Sequence, residues 1–230
     1  MTPAFDAVSL DVGGVLVVPD HEVLAGALTE AGIEFDRARF GVGHYLAMAA
    51  VDAAASATED FTDYLGGFVP AVGVSATHRA RAHDVLAEVL ATQVWRQPVE
   101  GSREGVRALV DAGLRLAVTS NSDGTIAAHL RLHGWAQLGP GSLPEVDVIT
   151  DSGVVGVGKP DPAMYAATVA GLGLPPERIL HVGDSVHYDV DGATACGMQA
   201  VHMDPFAVCR SSDHFHVRTL AARLNPLCTS

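Results

Sequence analysis

The chain has 230 residues, nearly half of them apolar, enough for one large domain or for a core carrying a smaller accessory domain. Lys plus Arg total 14 against 27 Asp plus Glu, a formal charge of -13, which excludes nucleic acid and anionic membrane as partners because little basic charge is present to displace counterions. The odd number of cysteines (Cys196, Cys209, Cys228) and their lack of CxxC spacing exclude a disulfide framework and point to free thiols in a reducing cytoplasm.

In chain order, Ala4 to Leu10 reads as a short buried strand ending at Asp11, broken by Gly13-Gly14 before Val15 to Val18 resume an extended run. No basic region precedes that strand, so a signal peptide is not expected. Nor does any run approach the roughly 18 apolar residues of a membrane span, and a cytoplasmic location follows. From His21 to Gln97 alanine is abundant, strand-like alternation is missing, and Val85, Leu86, Val89 and Leu90 keep helical spacing. This stretch is expected to be a helical insertion, with Pro98 marking its exit. The expected boundaries are 1–18 and 98–230 for the core and 19–97 for the insertion.

Beyond Pro98 the pattern becomes regular. Ser102 is expected to cap a helix to Ala112 that Gly113 terminates, and Leu114 to Thr119 forms a strand. Asp123 is expected to cap a helix to about His133. Val146 to Thr150, Ile179 to Val182 and Gln199 to Met203 read as strands, and Pro162 to Ala170, Asp189 to Cys196 and Val217 to Leu224 as helical. Such alternation predicts an α/β fold: a Rossmann-like three-layer α/β/α core with a parallel sheet, plus the inserted all-helical domain.

Asp11, Ser120 and Asp184 stand at the ends of these strands, and Lys159 follows another across a Gly-rich loop. In a parallel sheet such ends share one edge, so the four converge. They supply an attacking carboxylate, a hydroxyl donor, a cation and a second carboxylate, which is the set that phosphoryl transfer needs.

These residues carry a resemblance. Asp11-Val12-Gly13-Gly14-Val15 is similar to motif I of the haloacid dehalogenase superfamily, and Val118-Thr119-Ser120-Asn121 resembles motif II. Gly158-Lys159-Pro160-Asp161-Pro162 resembles motif III, and Gly183-Asp184 through Asp189 resembles motif IV. The resemblance implies an aspartyl-phosphate formed on Asp11 and Mg2+ held by Asp11, the Gly13 carbonyl and Asp184, with Asp189 supporting. It implies phosphate binding by Ser120, Asn121 and Lys159. The insertion resembles the helical C1 cap of this superfamily, which closes over a small phosphorylated substrate. A monomer or homodimer is expected.

One position departs from the pattern. Phosphatases of the superfamily carry an acid/base Asp two residues after the nucleophile, where this chain has Gly13. Three readings remain open: a phosphatase whose proton transfer is supplied elsewhere, with Asp20, His21, His44 or Asp52 as candidates; a 2-haloacid dehalogenase-like hydrolase; or a catalytically weak binding protein. Retention of Gly183-Asp184 argues against the dehalogenase. Among the eleven histidines, His202, His214 and His216 are taken as neighbours in sequence only, His129 and His133 as helix-surface residues, and His187 as the one nearest the expected site.

Overall fold

The computed structural model describes residues 5–54 and 61–221. Its elements are β1 (Ala7–Leu10), β2 (Val17–Pro19), α1 (His21–Glu30), α2 (Phe40–Ala54), α3 (Thr62–Ala71), α4 (Arg79–Leu90) and β3 (Trp95–Pro98). There follow α5 (Ser102–Asp111), β4 (Arg115–Ser120), α6 (Ile126–Leu132), β5 (Gln137–Leu138), β6 (Glu145–Val146), β7 (Val148–Asp151) and α7 (Ser152–Val155). The chain continues through α8 (Pro162–Leu172), β8 (Ile179–Gly183), α9 (Gly192–Ala195), β9 (Gln199–Met203) and β10 (Phe215–Val217).

Contacts divide the chain into two compact units. The first comprises residues 1–16, 99–205 and 211–230, and the second residues 17–98 and 206–210. In the first unit a six-stranded sheet has the order β10-β9-β8-β1-β4-β7, with every pairing parallel. β1 and β8 are buried throughout, as strands covered on both faces must be. On one side Ala7, Ala117 and Ile179 pack with Met164, Tyr165 and Leu172 of α8. The three-layer α/β/α core is therefore as expected. Taken in chain order, the six strands run 6-5-4-1-2-3, so the winding reverses between β1 and β8. That reversal is where open α/β sheets bind ligands.

The second unit packs α1 to α4 around Leu24, Leu28, Phe40, Leu65, Phe68 and Leu86. It also holds an antiparallel pair, β2 with β3; β2 continues the expected extended run of Val15 to Val18, whereas β3 lies at the end of a stretch expected to be helical. Trp95 to Pro98 alternate half-buried and exposed, a period of two too short to stand out beside four helices.

Four further expectations are corrected. Ser102 is the first helical residue of α5 rather than its cap, and its buried hydroxyl donates to the Val15 carbonyl. Gly101, with φ 76, occupies the cap position. The amide of Ile126 donates to Asp151, while Asp123 closes a local turn by accepting from Thr125. Residues 186–191 form a π-helical turn ahead of the short α9. Phe215 to Val217 is an edge strand; Ala222 to Leu224, expected to be helical, lie outside the described residues.

Candidate active site

β1 pairs with β4 on one side and β8 on the other, with Leu10 opposite both Val118 and Val182. Asp11, the next residue, donates its amide to the Val182 carbonyl and so leaves the sheet between the ends of β4 and β8. Ser120 ends β4 and Asp184 follows β8, so three of the sequence-predicted residues meet at the reversal in the sheet. All three are buried. The Ser120 hydroxyl favours the charged form of the Asp11 carboxyl.

Gly14 adopts φ +62, and a Cβ built there would lie 1.9 Å from Asp184 Oδ2. The glycine after Gly13 is thus needed twice, for its backbone conformation and for the close approach of motif IV. The Gly13 carbonyl turns back to accept from the Val15 amide at 2.7 Å.

Lys159 is the chain's only lysine, and its side chain is 3% exposed. Its Nζ lies 3.0 Å from Asp11 Oδ2 and 2.6 Å from Asp189 Oδ1. The backbone of Lys159 is clamped by Asn121, whose Oδ1 accepts from the Lys159 amide at 2.7 Å and whose Nδ2 donates to its carbonyl at 3.2 Å. The Asn121 side chain thus positions the lysine. Asp189 Oδ1 accepts from Lys159 and lies 3.0 Å from His181 Nε2, while Oδ2 accepts from the Ser185 amide at 3.1 Å. The π-helical turn makes this possible: Asp189 and Val190 both donate to the Ser185 carbonyl, which turns Asp189 inward.

Ligand oxygens of Asp11, Asp184 and Asp189 lie within 4.8 Å of one another, all three residues buried. Burial pushes the Asp11 carboxyl above the usual range, against the pull of Lys159 and with Asp189 adding to the rise. Burial acts the same way on Asp189, but Lys159 and His181 outweigh it and hold that carboxyl low. Burial would lower Lys159, yet Asp11 and Asp189 raise it well above the ordinary lysine value. Three carboxylates beside one ammonium leave a buried surplus of negative charge. Oxygen donors with such a surplus fit a hard divalent cation.

Over residues 5–197 the chain matches the haloacid dehalogenase-like hydrolase family. It belongs to that family. A phosphoserine phosphatase from Thermus thermophilus is 32% identical over 130 residues, 56% of this chain and 49% of that protein. The chain spans about half the length of the curated relatives it matches over more than a hundred residues. A phosphatase of the family from Thermococcus onnurineus shares the fold with a TM-score of 0.60 at 19% identity, covering 97% of this chain and 98% of that one. A 2-haloacid dehalogenase from Pseudomonas syringae gives 0.54 at 18%, covering 94% and 95%. Phosphatase and dehalogenase share this architecture, so the fold alone does not choose between them.

Two features of this hydrolase escaped the sequence reading. His181, fully buried in β8, places Nδ1 3.1 Å from Ser9 Oγ, which bonds to Thr119 Oγ1 at 2.8 Å. Thr119 continues to Thr168 at 2.6 Å, and Thr168 to Thr150 at 2.7 Å. The signal was a single polar residue inside otherwise apolar strands, as in Val8-Ser9-Leu10 and Leu180-His181-Val182. Asp151 accepts from Gly124, Gly153 and Ile126, which ties the loop after Ser120 to β7.

The residues considered as substitutes for the missing acid belong to the second unit. Asp20 caps α1 and accepts from Arg96, and His44 is buried with Nδ1 2.9 Å from the Tyr64 hydroxyl. His21 Nδ1 lies 3.0 Å from Gln97 Nε2. Asp52 is half-buried in α2, and the His187 ring lies against Tyr188. The rings of His129 and His133 lie tilted against each other, centroids 4.5 Å apart.

Proposed function

We propose that this chain is a Mg2+-dependent phosphatase of a small phosphorylated metabolite. The carrying observation is the buried cluster of Asp11, Asp184 and Asp189 around a single lysine. Carbon–halogen displacement needs neither a metal nor Asp184, whereas phosphate ester hydrolysis uses both.

In this reading Asp11, Asp184 and the Gly13 carbonyl would hold Mg2+, which would supply neutralisation of the charge on the phosphoryl oxygens. Asp189 anchors Lys159 rather than meeting the metal, since both its oxygens already accept from protein donors. One Asp11 oxygen attacks phosphorus, the ester P–O bond breaks, and the leaving oxygen takes its proton from water, because Gly13 has none to give. Water then attacks the same phosphorus, the bond to Asp11 breaks, and phosphate leaves. Ser120 and Lys159 hold the phosphoryl oxygens, and Asn121 keeps Lys159 in place. The helical insertion, residues 19–97 in the sequence reading, selects the substrate as a cap.

The test is hydrolysis of p-nitrophenyl phosphate and a panel of metabolite phosphates, phosphoserine included, with and without Mg2+. Turnover abolished by EDTA and by Asp11→Asn is expected. Metal-independent halide release from 2-haloacids, with no phosphatase activity, would overturn the reading in favour of a dehalogenase. Absence of both activities would favour the binding protein.

A further inference from the structure

β10 is a weak element by itself. It has three residues, pairs on one side only among the described residues, and leaves Phe215 64% exposed. So short an edge strand buries little apolar area to hold it in register. Its register nevertheless sets His216 opposite His202 of β9, and His214, two residues earlier, faces the same way.

The three rings form a triangle, with centroids 5.2 Å apart for His202–His214, 5.2 Å for His202–His216 and 4.4 Å for His214–His216. One ring nitrogen from each lies within 4.8 Å of the others. The outward nitrogens of two rings are already committed: His202 Nε2 lies 3.1 Å from the Asp184 carbonyl, and His214 Nδ1 2.5 Å from Asp213 Oδ1. With the ring protons assigned to those bonds, His202 Nδ1 and His214 Nε2 turn lone pairs toward each other across 3.1 Å. Two lone pairs at that distance repel unless a cation, a shared proton or a metal ion, lies between them. An ion about 2.0–2.1 Å from each nitrogen bridges such a gap. An imidazole whose second nitrogen is held by a carbonyl or carboxylate is the arrangement that orients histidine toward metal.

We propose that His202, His214 and His216 bind a transition-metal ion, Zn2+ foremost, which staples β10 to β9. Imidazole nitrogens select zinc, cobalt or nickel over magnesium, so the site is chemically distinct from the carboxylate cluster. The staple compensates for the little area that β10 buries. Because His202 also holds the Asp184 carbonyl, the ion steadies the loop that carries Asp184. The inference does not depend on the phosphatase reading.

The test uses tag-free full-length protein, stripped with a chelator, dialysed and titrated with Zn2+ and separately with Co2+. Wild type is expected to take up one Zn2+ per chain, retain it through dialysis against millimolar Mg2+, and melt several degrees higher with it. Co2+ should give the intense visible bands of a low-coordinate, nitrogen-ligated ion. His214→Ala and His216→Ala, both on the edge segment, should each weaken binding about tenfold or more, and the double variant should abolish it. Asp11→Asn should leave Zn2+ binding intact. Substoichiometric zinc lost on dialysis, or the pale spectrum of six-coordinate cobalt, would overturn the proposal without any variant having to fold. So would undiminished binding by the double variant.

Discussion

Gly13 and Gly14 are adjacent but not equivalent. Gly14 has positive φ and no room for a Cβ beside Asp184, whereas Gly13 is not among the residues with positive φ, so no left-handed strain opposes a side chain there. Gly13→Asp restores a carboxyl two residues after Asp11, and general acid help is worth about 10²- to 10⁴-fold in rate. Turnover of alkyl phosphates should rise toward that range, with a smaller gain for p-nitrophenyl phosphate, whose leaving group needs little protonation. Equal gains on both esters would show that Gly13→Asp does not act as an acid. A second prediction concerns Asp11, whose carboxyl burial raises in the metal-free site. A raised carboxyl favours the metal-free fold while protonated; that contribution is fully present below the unfolded value of about 3.9 and is lost as pH rises through the folded value. Mg2+ requires the carboxylate, so the rise in Tm on adding Mg2+ should grow with pH from about 4 upward. Melting curves at about pH 5 and about pH 8 check this, and shifts of equal size would contradict it.

Beneath the site residues at their ends, strands β1, β4 and β8 join with α8 and β7 in a buried chain of hydroxyls leading from His181 through Ser9, Thr119 and Thr168 to Thr150. Thr119→Val keeps the shape and removes one hydroxyl. Ser9 retains His181, and Thr168 retains Thr150 and the Met164 carbonyl, so no neighbour is stranded. The expected loss is about 1 kcal/mol, the net worth of an ordinary hydrogen bond, rather than the about 3 kcal/mol of an orphaned buried group. In a chain of this length that is a fall in Tm of about 2–4 °C, readable by thermal melting. These elements also mark how far the sequence could be read. Apolar runs ending in Asp11, Ser120 and Asp184 announced both the strands and the sheet edge they share, because strand ends in a parallel sheet converge whatever the loops between them do. The π-helical turn at 186–191 was not legible, since it depends on Asp189 reaching back to the Ser185 amide and across to Lys159. Nor was the meeting of His202 with His216, because the Val217 to Leu224 pattern suggested helix where pairing with β9 draws Phe215 to Val217 into a strand.

For the whole molecule, the formal charge of -13 opposes the approach of the anionic substrate proposed above. The cations that offset it are nearly all arginines: of the 14 basic residues only Lys159 is a lysine, and it is sequestered between Asp11 and Asp189. In the proposed phosphatase reading, long-range steering therefore works against a phosphate ester, and binding would begin only within reach of Lys159, the Ser120 hydroxyl and the proposed metal. Screening should relieve the long-range part and leave the buried part largely untouched. The Debye length falls from about 30 Å at 0.01 M salt to about 8 Å at 0.15 M, so most of the repulsion disappears over that interval. With Mg2+ saturating at every salt concentration, kcat/KM for a dianionic phosphate ester should rise several-fold across it, while kcat stays nearly constant because the chemical step occurs inside the screened site. An uncharged p-nitrophenyl carboxylate ester, if hydrolysed at all, should show no such rise. A fall in kcat/KM with added salt would mean that a local positive field guides the substrate, and the acidic surface would then have no part in setting the encounter rate.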